Sequence, residues 1–225
     1  MRAMRTRIAI LASGGGSNLG AILAHLDALG AERNADVALV LSDREQAGAL
    51  ERARARAIAA AVIDPLDAAG LSARLEQAGV TLVVLAGYLK LVPAAVVHAF
   101  HGRMMNVHPA LLPAFGGPGM YGRRIHRAVI DQGVRLTGVT VHFVDEQYDR
   151  GPIIAQWPVP VHESDTPDSL AARVLSVEHR ILPRAVEAVA AGRIALGGDG
   201  RVHGTLCPDD DDRAFILAPS PTTHT

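Results

Sequence analysis

The chain contains 225 residues, of which 49% are hydrophobic and 20% are charged, a composition typical of a soluble globular protein with a sizeable core. Its formal net charge is -1, so no basic excess predicts binding to nucleic acid or to a membrane surface. The one cysteine excludes an intrachain disulfide and a cysteine metal cluster. No apolar stretch reaches the roughly 20 residues that a membrane helix needs, and we expect a cytoplasmic protein.

Apolar runs of strand length alternate with helical patterns through the N-terminal half. The predicted strands are residues 7–12, 36–42, 61–63 and 80–86, and the predicted helices are residues 19–29, 46–60, 68–78 and 93–100. This alternation with short connections predicts a doubly wound, mostly parallel sheet with helices on both faces. Asp43 follows the second predicted strand, and we predict that it caps the next helix; the alternative is the role of holding a ribose hydroxyl, as in a dinucleotide fold.

A glycine-rich turn lies between the first predicted strand and the first predicted helix. It contains Gly14, Gly15 and Gly16, followed by Ser17 and Asn18. Glycines let the backbone approach a ligand closely, and the free N–H groups of a helix N-terminus bind anions. The spacing matches neither the dinucleotide fingerprint nor the P-loop. The turn therefore predicts a site for a smaller phosphoester, and the alternative is a tight turn with a Ser or Asn N-cap.

The stretch MMNVHPALLP at residues 104–113 places a carboxamide and an imidazole two residues apart, at Asn106 and His108. If residues 104–107 form a strand, these two side chains point to the same face. Pro109 cannot extend a central strand, so the pair lies at a strand end, where α/β proteins usually place their chemistry. The alternative is a hydrogen-bonded core histidine beside an asparagine turn.

The C-terminal half has a different pattern. Its predicted elements are strands at residues 136–144 and 151–159, a helix at 168–191, and short hairpin strands at 193–196 and 201–203. The first two strands predict an antiparallel edge of the sheet, and Thr166 with Pro167 predicts the start of the long helix. The loop at residues 114–124 has four glycines and predicts a flexible cover. We expect residues 207–225 to be a disordered tail.

Three polar side chains at predicted strand ends or loops suit direct acyl transfer: Asn106, His108 and Asp149. An amide and an imidazole can stabilise a tetrahedral oxyanion, while a carboxylate tunes the imidazole and moves protons. His142 lies in a predicted strand, where a core role and a functional role remain equally open. No nucleophile elbow and no H-E-x-x-H pattern is present, so we expect neither a covalent nor a metal mechanism.

Over residues 8–196 the chain resembles the phosphoribosylglycinamide formyltransferases, folate-dependent enzymes of purine synthesis. The resemblance rests on SGGGSNL, LAGYLKLV, MMNVHPALLPAF, TGVTVHFVDEQYDRGPII and ARVLSVEHRILP, in this order. It implies an α/β Rossmann-like formyltransferase fold and transfer of a formyl group from 10-formyltetrahydrofolate to the amine of glycinamide ribonucleotide. It further implies one domain at residues 1–206, with a phosphate-binding half to about residue 100 and a folate-binding half after it, acting as a monomer or homodimer.

The resemblance also implies roles for particular residues. The implied catalytic trio is Asn106, His108 and Asp149. The residues implied to bind the substrate phosphate are Gly16, Ser17 and Asn18. The residues implied to bind folate are Leu89, Lys90, Leu91, Val92, Asn106 and Val144. Glu178 matches a glutamate that contacts the ribonucleotide.

The chain departs from the family pattern at several positions. Many members have asparagine where Gly15 stands, arginine is common where Lys90 stands, and some members have histidine where Arg124 stands. Arg74 is the candidate match to the family's folate-binding arginine.

Three rival hypotheses accompany the transferase. Formyltetrahydrofolate deformylase hydrolyses the same donor but usually carries an additional N-terminal domain, whereas this chain begins directly with its first predicted strand. Methionyl-tRNA formyltransferase needs a C-terminal RNA-binding domain and a basic surface. A non-catalytic binding module is the third.

Overall fold

A seven-stranded sheet organises residues 5–204 and 206, which are the residues that the computed structural model describes. The predicted tail at residues 207–225 lies outside them. The strands are β1 Thr6–Leu11, β2 Ala35–Ser42, β3 Ala59–Val62, β4 Leu82–Leu85, β5 Met104–His108, β6 Leu136–Phe143, β7 Ile153–Pro160, β8 Ile194–Leu196 and β9 Val202–Gly204. The helices are α1 Ser17–Leu29, α2 Gly48–Arg54, α3 Ala68–Gln77, α4 Ala94–Ala99, α5 Arg123–Asp131 and α6 Pro167–Ala190.

The strand order is β3-β2-β1-β4-β5-β6-β7, and β8 and β9 form a separate antiparallel hairpin. Strands β1 to β5 pair in parallel, whereas β6 runs antiparallel to both β5 and β7. This confirms the predicted α/β fold with an antiparallel C-terminal edge. The uninterrupted apolar runs of the central strands fit this arrangement, because both faces of β1 and β4 are covered.

Alternate residues of the sheet supply two cores. Ile8, Val84 and Val107 pack in one cluster with helices α1, α2, α5 and α6, and Leu11 and Met104 pack in the other with α3 and α4. Because side chains alternate along a strand, Asn106 and His108 project from the Met104 face of β5. The second face of β5 therefore changes from apolar to polar as the strand ends.

The prediction of a helix at residues 46–60 is wrong in its second half. Helix α2 ends at Arg54, Ala57 adopts a left-handed φ of 55°, and Ala59 already begins β3. Pairing of β3 with β2 outweighs the intrinsic helix preference of the alanines there. The predicted cap by Asp43 is also wrong, because Ala47 is the N-cap residue of α2.

Helix α6 begins as the sequence predicts. Thr166 and Ser169 exchange side-chain-to-backbone hydrogen bonds in a capping box, and Pro167 is the first helical residue. The helix packs along α1, α5, β6 and β7, so its residues reach from the side of the glycine-rich turn after β1 to the antiparallel edge. Among the described residues, no helix combines the length and apolar character needed to cross a membrane.

Candidate active site

A cavity of about 560 Å³ opens at the end of β5. Residues from six segments line it: the end of β4 and the loop after it, the end of β5, the glycine-rich loop before α5, the start of α5, the end of β6 and the loop after it, and one side of α6. The predicted site residues that line it are Asn106, His108, Asp149, Leu89, Lys90, Leu91, Val92, Val144 and Glu178. Residues from both halves of the sequence thus share one cavity.

Asn106 is placed by the antiparallel pairing of β5 with β6. In that register Asn106 lies opposite His142, and its Nδ2 atom is 3.2 Å from His142 Nε2. The same Nδ2 atom lies 3.5 Å from Asp149 Oδ1, a distance too long for a strong hydrogen bond. The contact with Asp149 is therefore the weaker of the two that Asn106 Nδ2 makes.

His108 is the last residue of β5 and is 3% exposed. Its Nε2 atom lies 2.8 Å from the carbonyl oxygen of Phe115, and its Nδ1 atom lies 3.4 Å from Asp149 Oδ1. Both ring nitrogens face oxygen acceptors, which is the arrangement that a doubly protonated imidazole satisfies. Phe115 and Asp149 both adopt left-handed backbone angles, with φ of 56° and 57°, and such strain in non-glycine residues concentrates at functional sites.

Asp149 is nearly buried, with a side chain that is 9% exposed. Burial opposes its ionisation, but hydrogen bonds from His108 and His142, the charge of His108 and the Gly117 N–H together hold the pKa of Asp149 well below its usual range. The Gly117 N–H donates to Asp149 Oδ2 at 2.9 Å. Asp149 is thus ionised beside the imidazole at neutral pH.

The glycine-rich loop before α5 is attached to this cluster by its backbone. The carbonyl of Phe115 accepts from His108 and the N–H of Gly117 donates to Asp149. Gly116 lies between them, and a Cβ atom there would lie 2.5 Å from Leu112 Cδ2 and 3.2 Å from Asp149 Cβ. The loop therefore covers the cavity, as its glycine content predicts, and also completes the surroundings of the catalytic candidates.

The sequence interpretation left His142 undecided, and the structure places it in the cluster. His142 Nδ1 donates to the carbonyl of Phe143 at 2.7 Å, which leaves Nε2 to face Asn106. His126 on α5 also lines the cavity. Burial, and then the charge of His108, lowers the pKa of His126, so this ring stays neutral. Either histidine could have been listed as a candidate from its residue type alone. The sequence does not specify the strand register and packing that bring them into this cavity.

The loop after β4 forms the apolar side of the cavity. Leu91 is 46% exposed although it is apolar, while Val92 is buried. The Leu89 N–H donates to Ser13 Oγ at 3.0 Å, which attaches this loop to the end of β1. Burial and then the nearby Asp43 carboxylate raise the pKa of Tyr88 to about 12, so its phenol remains neutral. Arg74 is exposed on α3 and does not line this cavity.

The glycine-rich turn after β1 is held tightly against α2. Gly16 has a left-handed φ of 71°, and a Cβ atom there would lie 2.7 Å from Ala49 Cα, so only glycine fits. Arg52 Nε donates to the Gly15 carbonyl at 2.8 Å. Gly16 itself is the N-cap residue of α1, without a side-chain cap bond. The alternative of a Ser or Asn N-cap is therefore wrong.

Asn18 and Glu178 connect this turn to the cavity. Gly16, Ser17 and Asn18 do not line the 560 Å³ cavity, but Glu178 does. Asn18 Nδ2 donates to Glu178 Oε2 at 2.7 Å. Burial raises the pKa of Glu178, and the Asn18 hydrogen bond and the charge of His108 act against that rise.

Comparison with known proteins shows the family to which the chain belongs. A family model described as formyl transferase matches residues 6–186. The chloroplastic phosphoribosylglycinamide formyltransferase of Arabidopsis thaliana is 43% identical over 204 residues, covering 87% of this chain and 69% of that protein. The Bacillus subtilis phosphoribosylglycinamide formyltransferase is 37% identical over 190 residues, covering 80% of this chain and 93% of that protein. This chain belongs to the phosphoribosylglycinamide formyltransferase family.

As a member of the phosphoribosylglycinamide formyltransferase family, the chain is a formyltransferase of purine biosynthesis. The crystal structure of the Anaplasma phagocytophilum phosphoribosylglycinamide formyltransferase superposes with a TM-score of 0.82 at 34% identity, covering 95% of this chain and 98% of that one. The fold expected from the resemblance is thereby confirmed.

Two other relatives differ from this chain in length. The chain is 37% identical to a bovine trifunctional purine biosynthetic protein but spans 20% of its length. A Pseudomonas syringae formyltetrahydrofolate deformylase superposes with a TM-score of 0.78 at 26% identity, and the chain covers 66% of it. The higher identities to transferases do not favour the deformylase hypothesis. Within residues 5–204 and 206, no group of three or more His, Cys, Asp or Glu side chains is arranged so that it could hold a metal ion.

Proposed function

We propose that the chain transfers the formyl group of 10-formyltetrahydrofolate to the amine of N1-(5-phospho-D-ribosyl)glycinamide, releasing tetrahydrofolate and the N-formyl product. The observation that carries this proposal is the shared cavity. Asn106, His108 and Asp149 line it together with the apolar segment at residues 89–92 and with Glu178. An acyl-transfer cluster, an apolar slot and a carboxylate are what a folate donor and an amine acceptor require at one place.

The two substrates occupy opposite sides of the cavity in this proposal. Leu89, Lys90, Leu91, Val92 and Val144 bind the flat ring system of the folate. Glu178 contacts the glycinamide ribonucleotide. The main-chain N–H groups at Gly16, Ser17 and Asn18 bind the phosphate, because α1 begins there with unpaired donors and a favourable dipole.

Transfer proceeds by direct attack. The amine, as free base, forms a C–N bond to the formyl carbon, and the carbonyl electrons move to the oxygen. Asn106 donates to this oxyanion in place of its long contact with Asp149, and the positive charge of protonated His108 stabilises it. As the tetrahedral intermediate collapses, the bond from carbon to the folate nitrogen breaks. Asp149, through water, carries the proton lost by the amine to that nitrogen.

The assembly around this reaction is part of the same proposal. Residues 1–206 act as one formyltransferase domain, as a monomer or homodimer in the cytoplasm. The partners are the two small-molecule substrates, without nucleic acid or membrane. The closing tail at residues 207–225 has no catalytic role, and truncation after residue 206 leaves activity unchanged.

A single assay separates the hypotheses. Purified chain is incubated with 10-formyltetrahydrofolate, and release of tetrahydrofolate is followed with and without the ribonucleotide. Release only in its presence supports the transferase. Release without it identifies a deformylase, and binding of both compounds without release identifies a binding module.

A further inference from the structure

The side chain of Asn18 is buried, although Asn18 belongs to the glycine-rich turn. Asn18 is 6% exposed, and it is the second residue of α1. Its Nδ2 atom reaches across 160 positions of sequence to Glu178 Oε2 at 2.7 Å. Its Oδ1 atom is buried without a hydrogen-bond partner. The amide nitrogen of Asn18 is thus hydrogen-bonded, whereas its amide oxygen is not. An unpaired buried acceptor destabilises the fold, so a functional explanation for this side chain is required.

Glu178 is correspondingly dependent on Asn18. It is 8% exposed and lines the cavity. Among the described residues, the hydrogen bond from Asn18 is the one side-chain donation to its carboxylate. A buried carboxylate with one protein donor has capacity for further donors, and the cavity is where a substrate would supply them. The orientation of this carboxylate is set by Asn18.

The same helix carries a second asparagine–glutamate pair for comparison. Glu187 is 4% exposed, and its Oε1 atom accepts both the main-chain N–H and the Nδ2 of Asn34, each at 2.7 Å. Glu187 does not line the cavity. This pair fastens the start of β2 to α6 and provides a matched structural control.

We infer that Asn18 is a positioning residue that holds the Glu178 carboxylate in place for the ribonucleotide. Its backbone belongs to the turn proposed to bind the phosphate, and its side chain directs the carboxylate proposed to contact the rest of the same molecule. One residue therefore couples the two contacts. This inference rests on the proposed function and extends it from the residues that touch the ribonucleotide to the one that orients them.

A double-mutant cycle tests the inference. Asn18→Ala, Glu178→Gln and the double variant are compared for KM of the ribonucleotide, KM of the folate, and ribonucleotide affinity by calorimetry. We expect Asn18→Ala to weaken ribonucleotide binding about ten- to hundredfold, as loss of a charge-assisted hydrogen bond does, with the folate KM unchanged. The double variant should be no weaker than Glu178→Gln alone. Effects that multiply, or an equal rise in both KM values, would overturn the inference.

Reversing the pair separates positioning from stability. Asn18→Asp combined with Glu178→Gln restores a hydrogen bond of opposite polarity, and so does Asn34→Asp combined with Glu187→Gln at the control pair. We expect each reversal to regain the unfolding temperature that Asn18→Asp or Asn34→Asp loses when it is made alone, but only the control reversal to keep wild-type affinity for the ribonucleotide. Full affinity in the first reversal would show that the Asn18 pair is merely structural.

The two proposals fail differently. If the wild-type chain binds the ribonucleotide but does not formylate it, the proposed function is wrong and calorimetry still measures the coupling. If the wild-type chain formylates it and the Asn18 and Glu178 effects multiply, only the inference is wrong. Asn18→Ser, which keeps a shorter donor, replaces Asn18→Ala if the alanine variant does not fold, and should show the same pattern with a smaller change.

Discussion

The two polar sides of the cavity are built differently. On the histidine side, the ends of β5 and β6 and the loop after β6 bring together Asn106, His108, His142 and Asp149, and backbone groups of Phe115 and Gly117 complete the network. On the glutamate side, Glu178 receives a side-chain hydrogen bond from Asn18, whose own oxygen lacks a partner. Both sides bury ionisable groups, but only on the histidine side are these groups linked to one another in a hydrogen-bond network.

This difference suits the histidine side to the chemical step and the glutamate side to substrate binding. A network whose donors and acceptors are fixed before substrate arrives can stabilise a developing charge without reorganising. A buried carboxylate with unused hydrogen-bond acceptor capacity gains the missing donors only when a ligand binds. Until then its burial raises the free energy of the ligand-free protein. We therefore expect substitutions on the histidine side to act on kcat, and substitutions on the glutamate side to act on ribonucleotide binding.

The largest expected effect is at Asp149. Asp149→Asn keeps the shape but removes the charge beside His108, and we expect kcat to fall about 10²- to 10⁴-fold, the usual contribution of a positioned proton-transfer group. Steady-state rates with both substrates saturating measure this. Glu146→Gln removes a charge from the same loop, where Glu146 pairs with exposed His98 outside the cavity, and should leave kcat unchanged. A wild-type kcat in Asp149→Asn would refute the mechanism.

Asp149 also gives a pH dependence of stability. Its pKa in the folded chain lies below the unfolded value, so its contribution is fully present above the unfolded pKa and is lost as the pH falls through the folded pKa. The free energy of unfolding of wild type should therefore exceed that of Asp149→Asn at about pH 7, and the gap should narrow in strong acid. Chemical denaturation at several pH values measures the gap.

The next effect is at Glu178. We expect Glu178→Gln to lower kcat/KM for the ribonucleotide about ten- to hundredfold, because a charged hydrogen-bond partner is lost. Burial raises the pKa of Glu178 in the folded chain, so its ionisation opposes folding as the pH rises from the unfolded pKa through the folded one. The variant should therefore unfold at a higher temperature than wild type at about pH 8 and at a similar one near pH 4. A variant less stable than wild type at the higher pH would contradict the sign of this shift.

A smaller effect is expected where the glycine-rich loop joins the histidine side. Gly116→Ala puts a Cβ atom 2.5 Å from Leu112 Cδ2 and 3.2 Å from Asp149 Cβ, so the loop must move away from Asp149. We expect kcat to fall about tenfold and stability to fall by about 1–3 kcal/mol, as overpacking usually costs. Gly198→Ala, where nothing lies within 4 Å, is the control. Unchanged kcat in Gly116→Ala would mean that the loop does not shape the histidine side.

The smallest effect is expected on the apolar side. Leu91 is 46% exposed at the cavity, and Leu91→Ser removes apolar surface that a bound folate would cover. We expect the folate KM to rise about fivefold, equivalent to about 1 kcal/mol of lost burial, with the ribonucleotide KM unchanged. Leu66→Ser alters a leucine that is 87% exposed and does not line the cavity, and should change neither KM. A rise in the ribonucleotide KM alone would reverse the assignment of the two sides.

The sequence predicts the parts of the fold that follow from local pattern. The alternation of apolar runs and helices, the start of α6 at Thr166, and the strand end at Pro109 are all confirmed. Local pattern fails at residues 55–60, where alanines favour a helix but pairing with β2 decides the outcome. The strength of a strand pair depends on a partner that is distant in sequence.

The sequence likewise predicts only the part of the site that follows from local spacing. Asn106 and His108 share a face because of their spacing, which any strand reproduces. The position of His142 opposite Asn106 depends on a register between residues 36 apart, and no local feature specifies it. The left-handed backbone of Phe115 directs its carbonyl at His108. The sequence does not predict this conformation, because a positive φ is uncommon for phenylalanine.

The single tryptophan of the chain lies on β7, with the guanidinium carbon of Arg180 on α6 5.1 Å from its ring centroid. Its fluorescence therefore reports the antiparallel edge and the long helix, while circular dichroism in the far ultraviolet reports every helix and strand at once. Two optical signals with different spatial coverage exist in the unlabelled chain. If their denaturation curves coincide, the two halves of the sheet unfold as one cooperative unit.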